Sequence, residues 1–352
     1  MIGEKPMTHF APRAAVIMPA YNAEGTIEKT VRSILGQSMG DLVLIVVDDG
    51  STDETAAILS RLQAEDGRLL PIRLPNGGPA RARNAGLDAV PPGTEYLMFS
   101  DADDLLEPDA LLYAIENAGD ADLVLMGYSI VEPDGSVQRY FEPAARYTPD
   151  TLGASLGRLY KANLLNQVWG KLFRARLVLD NAIRFQDYRW GEDRLFIYDC
   201  LERAQSVAVL PECKYSYIMY PGESLITRYY DRKLDVCLQS DARMEALCRR
   251  FSVSDERDFR YMFAKSVFSC LTTLFSPKCT LTKAEKRAEI GRALENERVQ
   301  ARSRDVFGGP AVRGLCAVMH TKNVTLNYAA FYTVSRAGEL APDLFTKIKH
   351  RK

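Results

Sequence analysis

Histidine is nearly missing from this chain, with only His9, His320 and His350, and the seven cysteines stand singly with no CxxC pair. A zinc centre built on Cys and His ligands therefore has little to draw on. An odd number of scattered cysteines reads as reduced, mostly buried thiols, which points to a cytoplasmic protein. No apolar run approaches the ~18 residues of a spanning helix. Met1 to Pro12 also lacks the continuous apolar core of a signal peptide. Charge of one sign is missing too: 45 Lys and Arg face 46 Asp and Glu, so no global field favours nucleic acid as a partner. After the first apolar run stands Pro19-Ala20-Tyr21-Asn22 where a nucleotidylyltransferase would carry a Gly-rich phosphate loop. GxGxxG is absent as well, which disfavours a dehydrogenase.

What is present is ample apolar content, 47% of 352 residues, enough for one large domain with an appendage or for two domains. The expected division is a tail at 1–12, an α/β domain at 13–230 and a helical region at 231–352. From Arg13 to Tyr128, apolar runs alternate with helical patterns, the mark of a parallel sheet covered by helices. Ala14 to Met18, Leu42 to Val47, Leu69 to Leu74, Tyr96 to Phe99 and Leu123 to Met126 are read as strands too apolar to face water on either side. Ile27, Val31, Ile34 and Leu35 mark one helix face, and Ile58, Leu59 and Leu62 another. Ser51-Thr52-Asp53-Glu54 has the spacing of a capping box opening that second helix. Glu132-Pro133-Asp134-Gly135 reads as a hairpin turn, with a helix near Thr151 to Lys161.

Such sheets place ligands at the carboxyl ends of their strands, and there the acids gather. Leu42 to Val47 runs into Asp48-Asp49-Gly50-Ser51, and Tyr96 to Phe99 into Ser100-Asp101-Ala102-Asp103-Asp104. Isolated aspartates after strands are usually turn formers and caps, and that suffices for Asp48. Three together repel one another, a strain that a divalent cation relieves. Mn²⁺ or Mg²⁺ held by one or two carboxylates plus substrate phosphates is the common arrangement. A later candidate is Gly191-Glu192-Asp193, which opens a helical pattern where the helix dipole favours ionised carboxylates. By itself it reads first as an ordinary acidic first turn.

Four motifs in order resemble the family-two glycosyltransferases of GT-A fold. They are Val16-Ile17-Met18-Pro19-Ala20-Tyr21-Asn22, Val47-Asp48-Asp49-Gly50-Ser51-Thr52-Asp53, Gly78-Pro79-Ala80-Arg81-Ala82-Arg83-Asn84-Ala85-Gly86 and Ser100-Asp101-Ala102-Asp103-Asp104. The resemblance extends from Arg13 to Tyr230, through Trp169-Gly170-Lys171-Leu172-Phe173 and Glu192-Asp193. It implies an inverting transfer of a sugar from a nucleoside diphosphate, with UDP favoured, to a hydroxyl of a glycan or lipid-linked glycan. Nucleotide contacts would come from Pro19, Tyr21 and Asn22, from Asp49 to the base, from Arg81 or Arg83, and from Asp101 and Ala102. Asp103, with help from Asp101 or Asp104, would hold the metal. Asp193 would be the base, Glu192 would orient it or bind acceptor, and Trp190 would stack on a sugar. Some relatives add a late histidine ligand; none stands at that place in this chain. Of another class, a silent sugar- or nucleotide-binding scaffold fits the same motifs less well. The carboxy-terminal helices could cover an acceptor cleft, form a homodimer or rest on the inner face of a membrane, where the basic tail Lys347 to Lys352 would meet anionic lipid.

Overall fold

The computed structural model describes residues 11–220, 229–304 and 306–340. In chain order the first unit runs β1 (Ala14–Ala20), α1 (Ile27–Leu35), β2 (Leu42–Asp48), α2 (Thr55–Glu65), β3 (Leu69–Arg73), α3 (Pro79–Asp88), β4 (Tyr96–Phe99), β5 (Leu105–Leu106), α4 (Ala110–Ala118) and β6 (Leu123–Val131). It continues with β7 (Val137–Tyr140), β8 (Ala145–Tyr147), α5 (Pro149–Lys161), β9 (Lys171–Arg174), α6 (Ala175–Leu179), α7 (Glu192–Arg203) and β10 (Val207–Ile218). Six further helices follow: α8 (Lys233–Arg250), α9 (Arg257–Thr273), α10 (Lys283–Glu295), α11 (Glu297–Arg302), α12 (Pro310–His320) and α13 (Val324–Leu340).

The strands form a single sheet in the order β3-β2-β1-β4-β9-β6-β10-β5, with β7 added beside β6 and β8 beside β10. β3, β2, β1 and β4 are parallel, as the alternating strand and helix pattern requires. The expectation of an α/β sheet covered by helices holds. Beyond β4 the sheet is mixed, because β9 inserts antiparallel between β4 and β6. Ala14 to Met18 of β1 and Leu44 to Val47 of β2 are fully enclosed, which is why these runs carry no alternation. β3 departs from that reading: it is the edge strand, and Leu70 is 37% exposed.

Helix faces follow the spacing in the main. Ile27, Val31 and Ile34 bury on α1, with Thr30 completing the face in place of Leu35. Thr55, Leu59 and Leu62 bury on α2. The capping box at Ser51 does not form. α2 begins at Thr55, and the polar residues before it join two loops instead: the Asn22 amide donates to Ser51 Oγ (2.9 Å), and Asp53 Oδ2 accepts from the Glu24 amide (3.0 Å). The hairpin after β6 is present, with Gly135 at φ 83° and its amide donating to the Glu132 carbonyl.

The chain divides into two compact units, 1–221 with 249–252, and 222–248 with 253–352. The second is helical, with its own core that includes Phe263, Val267, Leu271, Ile290, Leu294, Met319 and Phe331. Asp241 is buried there between two cations, Arg298 at 2.7 Å and Arg302 at 3.1 Å. None of the seven cysteines is in a disulfide. No helix among the described residues is long and apolar enough to cross a membrane. His9, His350 and the basic tail lie outside the described residues.

Candidate functional site

The first loops of the site come from the carboxyl ends of β1 and β2. Tyr21 stands out at 52% exposure, directly after Pro19 and Ala20 end β1. Asn22 takes a left-handed turn (φ 47°) and its side-chain oxygen accepts from the Thr52 amide (2.9 Å). The β1 and β2 loops are thereby clasped. Asp49 is buried at 4%. Its two oxygens accept from the amides of Gly77 (2.8 Å) and Gly78 (2.7 Å). Each oxygen keeps a further lone pair. Gly78, at φ 92°, and Pro79 at the first helical position then launch α3.

α3 separates its two arginines. Arg81 points outward, folded over Gly77, whereas Arg83 turns in beneath the sheet end, its side chain 5% exposed. Burying a guanidinium demands several acceptors, and Arg83 has three carboxylates: Asp101 at 2.9 Å, Glu192 at 3.0 Å and Asp193 at 2.8 Å. Its guanidinium also lies over the Phe185 ring, 5.4 Å from the centroid. The next residue, Asn84, exchanges two hydrogen bonds of 2.9 Å with the Phe185 backbone. One helix turn thus fixes both the acids after β4 and the segment leading into α7.

The acids after β4 have three different environments. Asp101 is partly exposed and keeps one oxygen on Arg83. Ala102 is buried, its carbonyl accepting from the Thr30 hydroxyl (3.0 Å). Asp103 reaches solvent and has no cationic partner among the described residues. Desolvation by the surrounding wall and repulsion from Asp101 push its carboxyl up to about 6. Asp104 is wholly enclosed. One oxygen accepts from the Tyr215 hydroxyl (2.6 Å) and the other from the Ile218 amide (3.0 Å). Burial and its two acidic neighbours raise its carboxyl well above the ordinary range.

Glu192 and Asp193 open α7 after Gly191, which is left-handed at φ 80°. The helix dipole alone would favour an ionised Asp193. Burial outweighs it, and repulsion from Glu192 and Asp101 adds to burial against the pull of Arg83, lifting the carboxyl to about 7. The sequence expectation of a stabilised anion is corrected accordingly, for a reason no helix position discloses. A carboxyl titrating near neutrality suits a proton acceptor.

Aromatic rings close the site from β10. Trp169 stacks on Tyr215 and Tyr217, with centroids at 4.8 and 5.6 Å, and Tyr220 donates its hydroxyl proton to the Asp103 carbonyl (3.2 Å). Sequence reasoning passed over these tyrosines, although the alternation of Tyr215 and Tyr217 in a strand places both rings on one face. It also assigned nothing to Lys171, an amine 1% exposed inside β9. A lysine within the apolar run Trp169 to Phe173 was the signal. Trp190 is half-buried, with the Arg194 guanidinium 5.5 Å from its ring centroid.

Among the described residues no three His, Cys, Asp or Glu side chains form a ready metal cage. The donor set at the strand ends does suit a hard cation that keeps water and phosphate ligands. Among the described residues Asp103 is uncompensated by any cation, and Asp101 faces it with one oxygen left over.

Comparisons with known proteins converge on this region. Residues 15–177 match the family model described as glycosyl transferase family 2. The uncharacterized glycosyltransferase EpsJ of Bacillus subtilis is 29% identical over 233 residues, 65% of this chain and 67% of that protein. The succinoglycan biosynthesis protein ExoW of Rhizobium meliloti is 30% identical over 213 residues, 56% of this chain and 66% of it. The chain thus spans about two thirds of the length of these curated relatives. In fold, residues 1–349 of S. aureus TarS, crystallised with UDP-GlcNAc, superpose with a TM-score of 0.63 at 23% identity, covering 93% of this chain and 92% of that one. With its mixed sheet, its acids at the strand ends and these relatives, the chain belongs to the family 2 glycosyltransferases and has their GT-A fold.

Proposed function

We propose that the enzyme transfers a sugar from a nucleoside diphosphate, UDP first among the candidates, to a hydroxyl of a cell-envelope glycan, inverting the anomeric carbon. The observation that carries this reading is the Arg83 bridge, which joins Asp101 after β4 to Glu192 and Asp193 at the start of α7. Donor-side and acceptor-side acids then share one hub. Support for the substrate class comes from a relative named for succinoglycan biosynthesis and a fold neighbour crystallised with UDP-GlcNAc.

In this mechanism Asp193 accepts the proton of the acceptor hydroxyl as that oxygen attacks opposite the departing diphosphate. An alcohol is a weak nucleophile until its proton has a destination. Glu192 shares Arg83 with Asp193 and fixes the base in place. Tyr21 offers an exposed ring to the nucleotide base, and Asp49 presents its remaining lone pairs to it while shaping the loop that ends at Gly78. Of the two arginines, Arg81 is the one free to reach a nucleotide, and Arg83 serves the carboxylates. Asp103 with Asp101 would hold Mn²⁺ or Mg²⁺, which when bound offsets the charge growing on the diphosphate. Asp104 is assigned to the scaffold, both its oxygens being engaged within the fold.

The test is a thermal-shift screen of nucleoside diphosphate sugars with and without Mn²⁺, followed by a transfer assay with the best donor. A metal-dependent rise in Tm selective for UDP-sugars is expected. No metal-dependent shift with any activated sugar would overturn the reading.

A further inference from the structure

The acids after β4 are held by a short stretch of β10 and the residues just after it, and the mechanism above gives the tyrosines of that stretch no role. A hydroxyl offers one proton and can accept in return. Tyr215 does both: its oxygen accepts from the Asp101 amide at 3.2 Å, and its proton goes to Asp104 Oδ2 at 2.6 Å. The Ile218 amide donates to the other Asp104 oxygen at 3.0 Å, and the Tyr220 hydroxyl donates to the Asp103 carbonyl at 3.2 Å. Every acid of the loop is thus tied to residues 215–220. Just beyond the acids, β5 pairs antiparallel with β10, Leu106 opposite Tyr215, so the same strand fixes where the loop leaves. Tyr215 is itself fixed. It is 1% exposed, and its ring lies against Trp169 with centroids 4.8 Å and planes 6° apart. Trp169 in turn is bridged to Phe99 at the end of β4.

Resting on the assignment of Asp101 and Asp103 to the cation, we propose that Tyr215 and Tyr220 are positioning residues whose hydroxyls lock the backbone from Asp101 to Asp104, so that both outward carboxylates meet one ion. Two neighbouring carboxylates repel, and an untethered loop would relax by turning them apart. Arg83 restrains Asp101 through one side-chain oxygen only, and no cation among the described residues restrains Asp103. The hydroxyls act elsewhere, on the Asp101 amide and the Asp103 carbonyl, where neither Arg83 nor a bound ion competes with them. Asp104 is the anchor. With both oxygens engaged by β10 and its extension, it carries the position of that strand into the loop. Groups that orient metal ligands from behind are worth about 10–100-fold in metal affinity or activity, which sets the scale of the effect.

Tyr215→Phe keeps the ring and its stacking and removes the hydroxyl, and Tyr220→Phe does the same at an exposed position. The control is Tyr128→Phe. Tyr128 also packs on Trp169, but its buried hydroxyl is bonded to Asn163 at 3.2 Å instead of to an acid. Two quantities are measured on the full chain: amide hydrogen exchange across residues 100–104, and Mn²⁺ affinity in the presence of UDP, followed by the EPR signal of the free ion. In Tyr215→Phe the Asp101 amide loses its acceptor, so faster exchange is expected there and not in Tyr128→Phe, with Mn²⁺ affinity weakened ~10-fold. Tyr220→Phe is expected to weaken Mn²⁺ by a few fold, the worth of one exposed hydrogen bond. A tyrosine that served stability alone would lower Tm, as the control does, and leave the Mn²⁺ affinity at the parent value. Unchanged exchange in Tyr215→Phe, or parent-like Mn²⁺ affinity in both variants, would overturn the proposal. Should Tyr215→Phe fail to fold, the Mn²⁺ affinity of Tyr220→Phe decides. Absence of Mn²⁺ uptake by the parent is a separate failure, visible before any residue is changed, and it would remove the cation site and this proposal together.

Discussion

Replacing Asp193 by Asn separates chemistry from stability at one atom. The amide oxygen can still accept from Arg83, so the bond that positions the side chain survives in neutral form. Loss of charge assistance on the Arg83 bond costs about 1–2 kcal/mol. Against this, the variant no longer forces an anion into a half-buried place beside Glu192 and Asp101. The sign follows from the raised carboxyl. A group with pKa near 3.9 in the unfolded chain and about 7 when folded contributes stability that is full below pH ~4 and is lost as pH rises to about 7. Three pH units at ~1.4 kcal/mol each set an upper bound of about 4 kcal/mol. Asp193→Asn should therefore gain stability relative to the parent between pH 4 and 7 by up to that amount, then level off. Urea unfolding at pH 4.5, 6 and 8 reads this directly. Turnover should fall by ~10²–10⁴, the usual worth of a general base, while the donor dissociation constant from calorimetry stays within a few fold. Ordinary turnover would remove Asp193 from its role, and a stability difference independent of pH would refute the burial argument.

Arg83→Met should be far more damaging, since it strands three carboxylates without their cation; a loss of about 3–5 kcal/mol in urea unfolding at pH 7 is expected, recovering as acid protonates them. Asp103→Asn should leave the fold and its Tm nearly unchanged and abolish the Mn²⁺ dependence of donor binding, read by calorimetry with and without the ion. Gly86→Ala would set a methyl 2.4 Å from Ile17 Cγ2, between α3 and β1; overpacking of this kind costs about 1–3 kcal/mol, and circular dichroism melts would show the lowered Tm.

The strands of the first half were legible because complete burial leaves no polar position, so β1, β2 and β4 print as apolar runs, the latter two ending where the acids begin. β9 was not legible as a strand. Four residues carrying a lysine and an arginine hold no periodicity, and only the gap between β4 and β6 makes them one. Site residues followed the same division. The cluster at Asp101, Asp103 and Asp104 pointed to cation chemistry before any fold was known, because few other arrangements gather so many acids at a strand end, and the family resemblance implied the nucleotide roles of Tyr21 and Asp49 and the proton role of Asp193.

What the sequence determined by itself, then, is the inventory: a covered sheet, acids after its strands, and a paired acid opening a later helix. Tertiary structure alone decided how those acids differ. It enclosed Asp104 with Tyr215, left Asp103 without a cation among the described residues, spent Arg83 on three carboxylates and buried Lys171 within β9. The reason is that the charge state of a carboxyl depends on what surrounds it within a few ångströms, and those neighbours lie up to 114 residues away along the chain.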